Sequence, residues 1–214
     1  HAFVHHIIRT RSIDTALVSH SALAYSALQS IKTQFPEVQV VNIAHNDFRG
    51  GWLKYANELK QYMDMHVGVN TGIANILVEE FRIPRESVTV IKNGVDTRAT
   101  FNPDRYESTT VLRDLKVPCD KKIVMWIGRL SEEKLPLDFV RLASIFRDDE
   151  RYFFALFGAG DLRQEVLEKS HTLPNFRLFD CTDRVPELLK STHVLVLTSK
   201  IEGMPIVILE AQAM

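Results

Sequence analysis

The second half of the chain alternates short apolar runs with helically spaced segments, and this alternation narrows the possible folds more than any other feature. Residues 123–127 form an apolar run bounded by charge before it and Gly128 after it. Residues 135–146 then carry Leu137, Val140, Leu142, Ala143 and Phe146 at helical spacing, with Pro136 in the first turn, where a missing N–H costs nothing. A second strand at 152–157 ends at Gly158-Ala159-Gly160, and a helix is predicted over 162–170. A short strand at 176–179 and a short helix at 185–190 follow. The most apolar strand is expected at 194–197, with a final helix from about Pro205. Such βαβ units predict an α/β fold whose parallel sheet is covered on both faces. Ligands of these sheets bind beyond the carboxyl ends of the strands, which directs attention to the residues after 127, 157, 179 and 197.

The first half has the same character with less regularity. Residues 16–19, 38–44, 65–69 and 87–91 read as strands, and 21–34, 52–62 and 71–81 as helices. Asn102-Pro103-Asp104 is turn chemistry between the two series, so the reading is two Rossmann-like domains, 1–104 and 105–214. A chain of 214 residues has room for both. The formal net charge of -1 supplies no field for nucleic acid, which is not an expected partner. Cys119 and Cys181 are the only two cysteines, too few for a disulfide framework. Both are read as thiols of a reducing compartment, with Cys181 expected to be buried near a strand end. No apolar run approaches the ~18 residues of a membrane-spanning helix. His1, His5 and His6 fit no metal-ligand spacing and read as free terminal histidines, and His20 reads as structural. Trp52, Tyr55, Leu59 and Tyr62 recur at helical spacing and are read as core packing.

Three segments carry chemistry. Glu202-Gly203-Met204-Pro205-Ile206 follows the 194–197 strand, where a ligand would lie. Gly203 permits close backbone approach, and Met204 and Ile206 offer N–H groups at a helix start. Glu210 lies one turn beyond Ile206, and a carboxylate there can accept two hydrogen bonds from a vicinal diol. Gly128-Arg129-Leu130-Ser131-Glu132-Glu133-Lys134 places Arg129 and Lys134 in one loop after 123–127; Arg supplies a fork of donors for a diphosphate and Lys a compact charge. Gly158-Ala159-Gly160 lacks the third glycine of a dinucleotide fingerprint, since position 163 is Arg163.

Taken in order on successive strands, these segments resemble the glycosyltransferase group 1 family, the retaining enzymes of glycosyltransferase family four with the GT-B fold. Upstream, Val90-Ile91-Lys92-Asn93-Gly94-Val95-Asp96 with Phe101 and Pro103, Ala44-His45-Asn46-Asp47, and the stretch from Ile13-Asp14 to His20-Ser21 look like parts of the family's first domain. The chain departs from the family at Leu135, where a glycine commonly follows the lysine, and at Asp180-Cys181, where a glycine often ends the third strand. The resemblance implies transfer of a sugar from a nucleoside-diphosphate sugar to an acceptor hydroxyl, with retention. Arg129 and Lys134 would hold the diphosphate and Glu210 the ribose. Glu202 with the backbone of Gly203, Met204 and Ile206 would hold the sugar, and His45 would act over the reacting sugar. No cofactor or metal is implied beyond the co-substrate. The acceptor would be a glycan, a lipid-linked sugar or a small molecule in the cytoplasm, with peripheral membrane contact through the first domain allowed. A nucleotide-sugar epimerase and a non-catalytic binding module are the alternatives. The family's glycine-rich first loop and closing helix are missing from the sequence, so the 214 residues are expected to be a piece without turnover of its own.

Overall fold

The computed structural model describes residues 2–107 and 109–214. In chain order it contains α1 (Ala2–Arg11), β1 (Thr15–Val18), α2 (Ala22–Gln34), β2 (Gln39–Ala44), α3 (Trp52–Glu58), β3 (Met65–Gly68), α4 (Thr71–Asn75), β4 (Val88–Val90) and α5 (Thr110–Asp114). It continues with β5 (Lys122–Ile127), α6 (Pro136–Ile145), β6 (Tyr152–Phe157), α7 (Arg163–Ser170), β7 (Phe176–Phe179), α8 (Val185–Lys190), β8 (Val194–Leu195) and α9 (Ile206–Ala213). The strands form two four-stranded parallel sheets, ordered β1-β2-β3-β4 and β7-β6-β5-β8. By contacts the chain divides into one compact unit of residues 1–93 with 201–204 and a second of 94–200 with 205–214. The sequence reading put the division at 104/105. The contact division lies upstream of it, and the Ile201–Met204 loop counts with the first unit.

In the second unit, the alternation of side chains along a strand sorts the core into two layers. Ile123, Met125, Phe153, Ala155 and Phe157 belong to one buried cluster, and Val124, Trp126, Phe154 and Leu156 to the other. Helix α6 seals the second cluster through Phe139, Val140 and Ala143, with Phe139 edge-on to Phe154 at 5.7 Å. Burial on both faces is why β5 and β6 read as continuous apolar runs. Strand β8 is shorter than the apolar 194–197 run suggested. Only Val194 and Leu195 pair in register, opposite Val124 and Met125. Among the described residues β8 has a neighbour on one side only, and Val194 is left 51% exposed.

In the first unit, Val38 and Val40 pack with α2 residues Tyr25, Leu28 and Ile31, while Ala44 packs with Leu53, Ile73 and Leu77. Ser21 caps α2, its Oγ accepting from the Ala24 N–H at 3.3 Å. The predicted helix at 71–81 is two segments, α4 and a π-type turn over Ile76–Glu80. Trp52, Leu59 and Tyr62 pack against the α2 cluster as core packing requires, and Tyr55 lies at its rim.

Two readings are corrected. Residues His5 and His6 are not a free terminus: they lie in α1, where His5 Nε2 sits 3.0 Å from Ser30 Oγ and Ile8 is buried; His1 lies outside the described residues. The stretch carries no N-cap residue and three of its first six residues are histidines, which hid the Val4/Ile8 spacing. Cys181 is exposed, because it follows the last residues of β7 rather than pointing into a layer.

Leu135 is one of five non-glycine residues with positive φ among the described residues, at φ 49 and ψ 54, immediately before α6. This is the position where the family commonly has glycine, and the left-handed conformation explains that preference. Leu135→Gly is therefore expected to be more stable than Leu135→Ala by about 1 kcal/mol, the lower end of the cost of left-handed backbone for a residue with Cβ. Thermal or chemical denaturation of the two variants side by side checks this.

Candidate functional site

Residues of the candidate site fall into a group on each unit. In the second unit, the loop after β5 is shaped by close backbone approach. The Leu130 N–H donates to the Ala159 carbonyl at 2.8 Å, and the Leu162 N–H donates to the Leu130 carbonyl at 3.0 Å. A Cβ at Gly158 would overlap the Gly128 carbonyl, and Gly160, at φ 151, lies against the Leu130 backbone. The Gly158-Ala159-Gly160 motif is thus a packing device that lets the loops after β5 and β6 run together.

Thr198, just beyond β8, holds the other side of this loop. Its Oγ1 accepts from Trp126 Nε1 at 2.9 Å and lies 2.7 and 2.9 Å from the carbonyls of Lys134 and Leu135. The Lys200 N–H donates to the Glu133 carbonyl at 2.9 Å. Between these loops lies an open cleft of about 540 Å³ lined by Arg129, Ser131, Glu132, Glu133, Asp161 and Lys200. It sits at the carboxyl ends of β5 and β6, as the topology requires. Arg129 projects into solvent, its Nη1 at 3.8 Å from Glu133 Oε1, a separation and exposure at which an ion pair holds little. Ser131 Oγ and Ser199 Oγ are buried and have no hydrogen-bond partner among the described residues, a state that native interiors seldom leave unexplained.

Helix α9 begins at Ile206. Pro205 is the residue before the helix, with φ -68 and ψ 119, rather than part of its first turn, and among the described residues no side chain caps the N-terminus. Glu210 is half-buried on α9, one turn after Ile206, and burial raises its pKa.

The remaining residues gather on the first unit. His45 follows β2, and the Gly203 Cα approaches so closely that a Cβ would overlap the His45 carbonyl oxygen. Asn70 Nδ2 donates to the Gly203 carbonyl at 2.7 Å, and Asn93 Nδ2 donates to the Met204 carbonyl at 2.8 Å. Asn70 also caps α4, accepting from the Ile73 N–H at 2.8 Å. The Gly203 and Met204 carbonyls are therefore each held by an asparagine side chain. The His45 ring meets His20 edge-on at 5.2 Å, and His20 stacks on Trp52 at 5.5 Å. His20 reaches that position through a left-handed backbone, φ 46. Burial lowers the pKa of both histidines, and His45 lowers His20 further. Both rings are neutral near pH 7.

Sequence reasoning had named Arg129, Lys134, Glu210, His45, Glu202, Gly203, Met204 and Ile206. It missed Asn70, Asp161, Thr198 and Lys200, assigned no role to Ser131 or Asn93, and set His20 aside as structural. Asn70 stands directly before the 71–81 run, where an asparagine can cap, but its second bond joins residues 133 apart in sequence and leaves no local signal.

A family model described as "Glycosyl transferases group 1" matches residues 108–214. The UDP-Gal:alpha-D-GlcNAc-diphosphoundecaprenol alpha-1,3-galactosyltransferase of Escherichia coli is 29% identical over 145 residues, covering 64% of this chain and 37% of that protein. The alpha-maltose-1-phosphate synthase of Mycolicibacterium smegmatis is 26% identical over 161 residues, covering 70% and 41%. The chain thus matches about two fifths of the length of these relatives. Among solved structures, a glycosyltransferase from Rickettsia africae aligns with TM-score 0.77 and 19% identity over 100% of this chain and 59% of its own. Anabaena HepE in complex with UDP-glucose aligns with TM-score 0.77 and 15% identity over 98% and 60%. The two parallel sheets with their covering helices are a GT-B-type α/β fold.

Glu210 yields a prediction on stability. A raised carboxyl pKa means that the ionised form is less favourable in the fold than in the unfolded chain. Glu210 therefore detracts from stability above its unfolded pKa, and the penalty fades as pH falls and the group protonates. Glu210→Gln should melt higher than the parent at pH 7, and the difference should shrink towards about pH 4, near the ordinary glutamate pKa. Melting curves across that range check the sign.

Proposed function

Because the chain belongs to the group 1 glycosyl transferases, we propose that the intact protein moves a sugar from a nucleoside-diphosphate sugar to an acceptor hydroxyl, with retention of anomeric configuration. The observation that carries this reading is the cleft at the ends of β5 and β6, which joins Arg129 and Lys200 to the buried hydroxyl of Ser131, partnerless among the described residues. Two cations and a hydroxyl on one cleft suit a diphosphate, although Glu132, Glu133 and Asp161 share the lining. The E. coli relative, named for its use of UDP-Gal, and HepE, solved with UDP-glucose, support the same donor class.

In this reading Arg129 and Lys134 hold the diphosphate. Glu210 takes the ribose hydroxyls: a half-buried carboxylate whose pKa burial raises gains from two hydroxyl donors. Glu202 and the backbone at Gly203, Met204 and Ile206 hold the transferred sugar. Stabilisation of the departing diphosphate is electrostatic, supplied by the cations and the uncapped start of α9. No metal or cofactor enters the reading. Neutral His45 donates a hydrogen bond to a sugar hydroxyl, or shields charge as the glycosidic bond breaks. The residues 105–214 carry the donor side and 1–104 the acceptor side. The E. coli relative's name specifies a lipid-linked acceptor, and the same class is a first choice to assay here.

Removing either cation should weaken nucleoside diphosphate binding by about 1.5–3 kcal/mol, the range for charge-assisted hydrogen bonds. Calorimetry on Arg129→Ala and Lys134→Ala in the intact protein tests this, and unchanged affinity in both would remove the diphosphate assignment. His45→Ala should lower kcat strongly while nucleotide affinity survives. A near-normal kcat would return His45 to a structural role.

A further inference from the structure

At the amino ends of β3 and β4, the opposite end of the first sheet from His45, lies a second cavity of about 310 Å³. Lys60, Gln61, Met63, His66, Arg82 and Ser87 are among its lining residues. Its volume is in the range of small-molecule sites, and nothing in the proposed transfer reaction uses it.

His66 gives the cavity its chemistry. The side chain is only 1% exposed, yet it contributes to the lining. Its ring ends a buried chain of polar groups. The Tyr25 hydroxyl donates to Asn42 Oδ1 at 2.8 Å, which orients the Asn42 amide, and Asn42 Nδ2 then faces His66 Nδ1 at 3.4 Å. An amide N–H can only donate, so Nδ1 is the acceptor and the ring proton belongs on Nε2. The relay thus delivers a fixed N–H donor, and among the described residues no protein acceptor meets it. Burial, with Lys60 adding to the effect, lowers the His66 pKa to about 4, so the ring stays neutral and keeps that donor at physiological pH.

Everything else polar on the lining can donate as well. Lys60 Nζ is anchored on the Phe81 carbonyl at 2.5 Å and on Asn57 Oδ1 at 3.4 Å, both neutral acceptors. Arg82 is exposed and reaches the rim through a left-handed backbone, φ 57. Gln61 and Ser87 add an amide and a hydroxyl. Among the described residues no carboxylate lines the cavity. Glu58, Asp64 and Glu80, on the same stretches of chain, pair with Lys54, Lys32 and Arg49, and the exposed Glu79 and Glu86 are not part of the lining.

We propose that this cavity is a binding site for a phosphate-type oxyanion, either the free ion or the phosphate of a monoester, held by Lys60, Arg82, the Ser87 hydroxyl and the His66 Nε2–H. Several donors, two of them cationic and neither of those paired with a carboxylate among the described residues, match an oxyanion, whose oxygens only accept.

The test uses the intact protein carrying Arg129→Ala and Lys134→Ala, so that the other cationic loop does not contribute. Inorganic phosphate and glycerol 3-phosphate are titrated separately by calorimetry and by ¹⁵N NMR of the histidine rings. Saturable binding that shifts the His66 Nε2–H resonance is expected. Lys60→Gln and Arg82→Gly should each weaken it by roughly ten- to a hundredfold, the span of one charge-assisted hydrogen bond. Glycine suits the backbone at position 82, so Arg82→Gly removes the charge without straining the fold. Equal affinity for the two probes identifies the free ion as the ligand, and tighter glycerol 3-phosphate identifies a phosphate monoester. Phosphate affinity unchanged in both variants, or a His66 resonance that ignores both probes, would overturn the proposal.

Discussion

The hydroxyl of Thr198 is the point on which the candidate residues of the second unit depend. One side chain ties the indole of Trp126, buried on β5, to the carbonyls of Lys134 and Leu135 in the loop that presents the cations. It does so from the residue where the chain leaves the β8 edge for Glu202. The left-handed backbone of Leu135 persists because this bond and the fixed φ of Pro136 over-determine it. Without that corner, Lys134 would not be delivered to the carboxyl end of β5.

Around this corner, the site combines groups that fit their surroundings poorly in the protein alone. Buried hydroxyls at Ser131 and Ser199 lack partners among the described residues, and Glu210 is a carboxylate that burial disfavours. The first unit shows the same economy at His20, a non-glycine residue bent into the left-handed region to set its ring between His45 and Trp52. Local cost concentrated beside otherwise well-packed layers is the pattern expected where a ligand, not the fold, completes the interactions.

The parallel layers were legible because burial on both faces of β5 and β6 forces uninterrupted apolar runs, which composition alone reveals. The loop chemistry was legible for the same reason: the ends of those runs mark the carboxyl edge, and Arg129, Lys134 and Glu210 stand just beyond it. Where the sequence misled, a local pattern had been outweighed by context. Residues 194–197 are as apolar as a central strand, but they border a sheet edge and pair over two residues only. The histidine-rich start looked like a tail until α2 supplied a surface on which Ile8 could be buried.

What the sequence determined by itself was therefore the repeating unit, the edge of the sheet to inspect and the charged residues found there, since each follows from a period or a spacing of a few residues. Tertiary structure alone decided which backbone carbonyls Asn70, Asn93 and Thr198 would hold, that Gly158-Ala159-Gly160 serves loop packing, and that Tyr25, Asn42 and His66 would join into one buried relay. Those outcomes depend on bonds between residues far apart in the chain. Hydrogen bonds form by distance and direction in space, and no periodicity along the sequence encodes them.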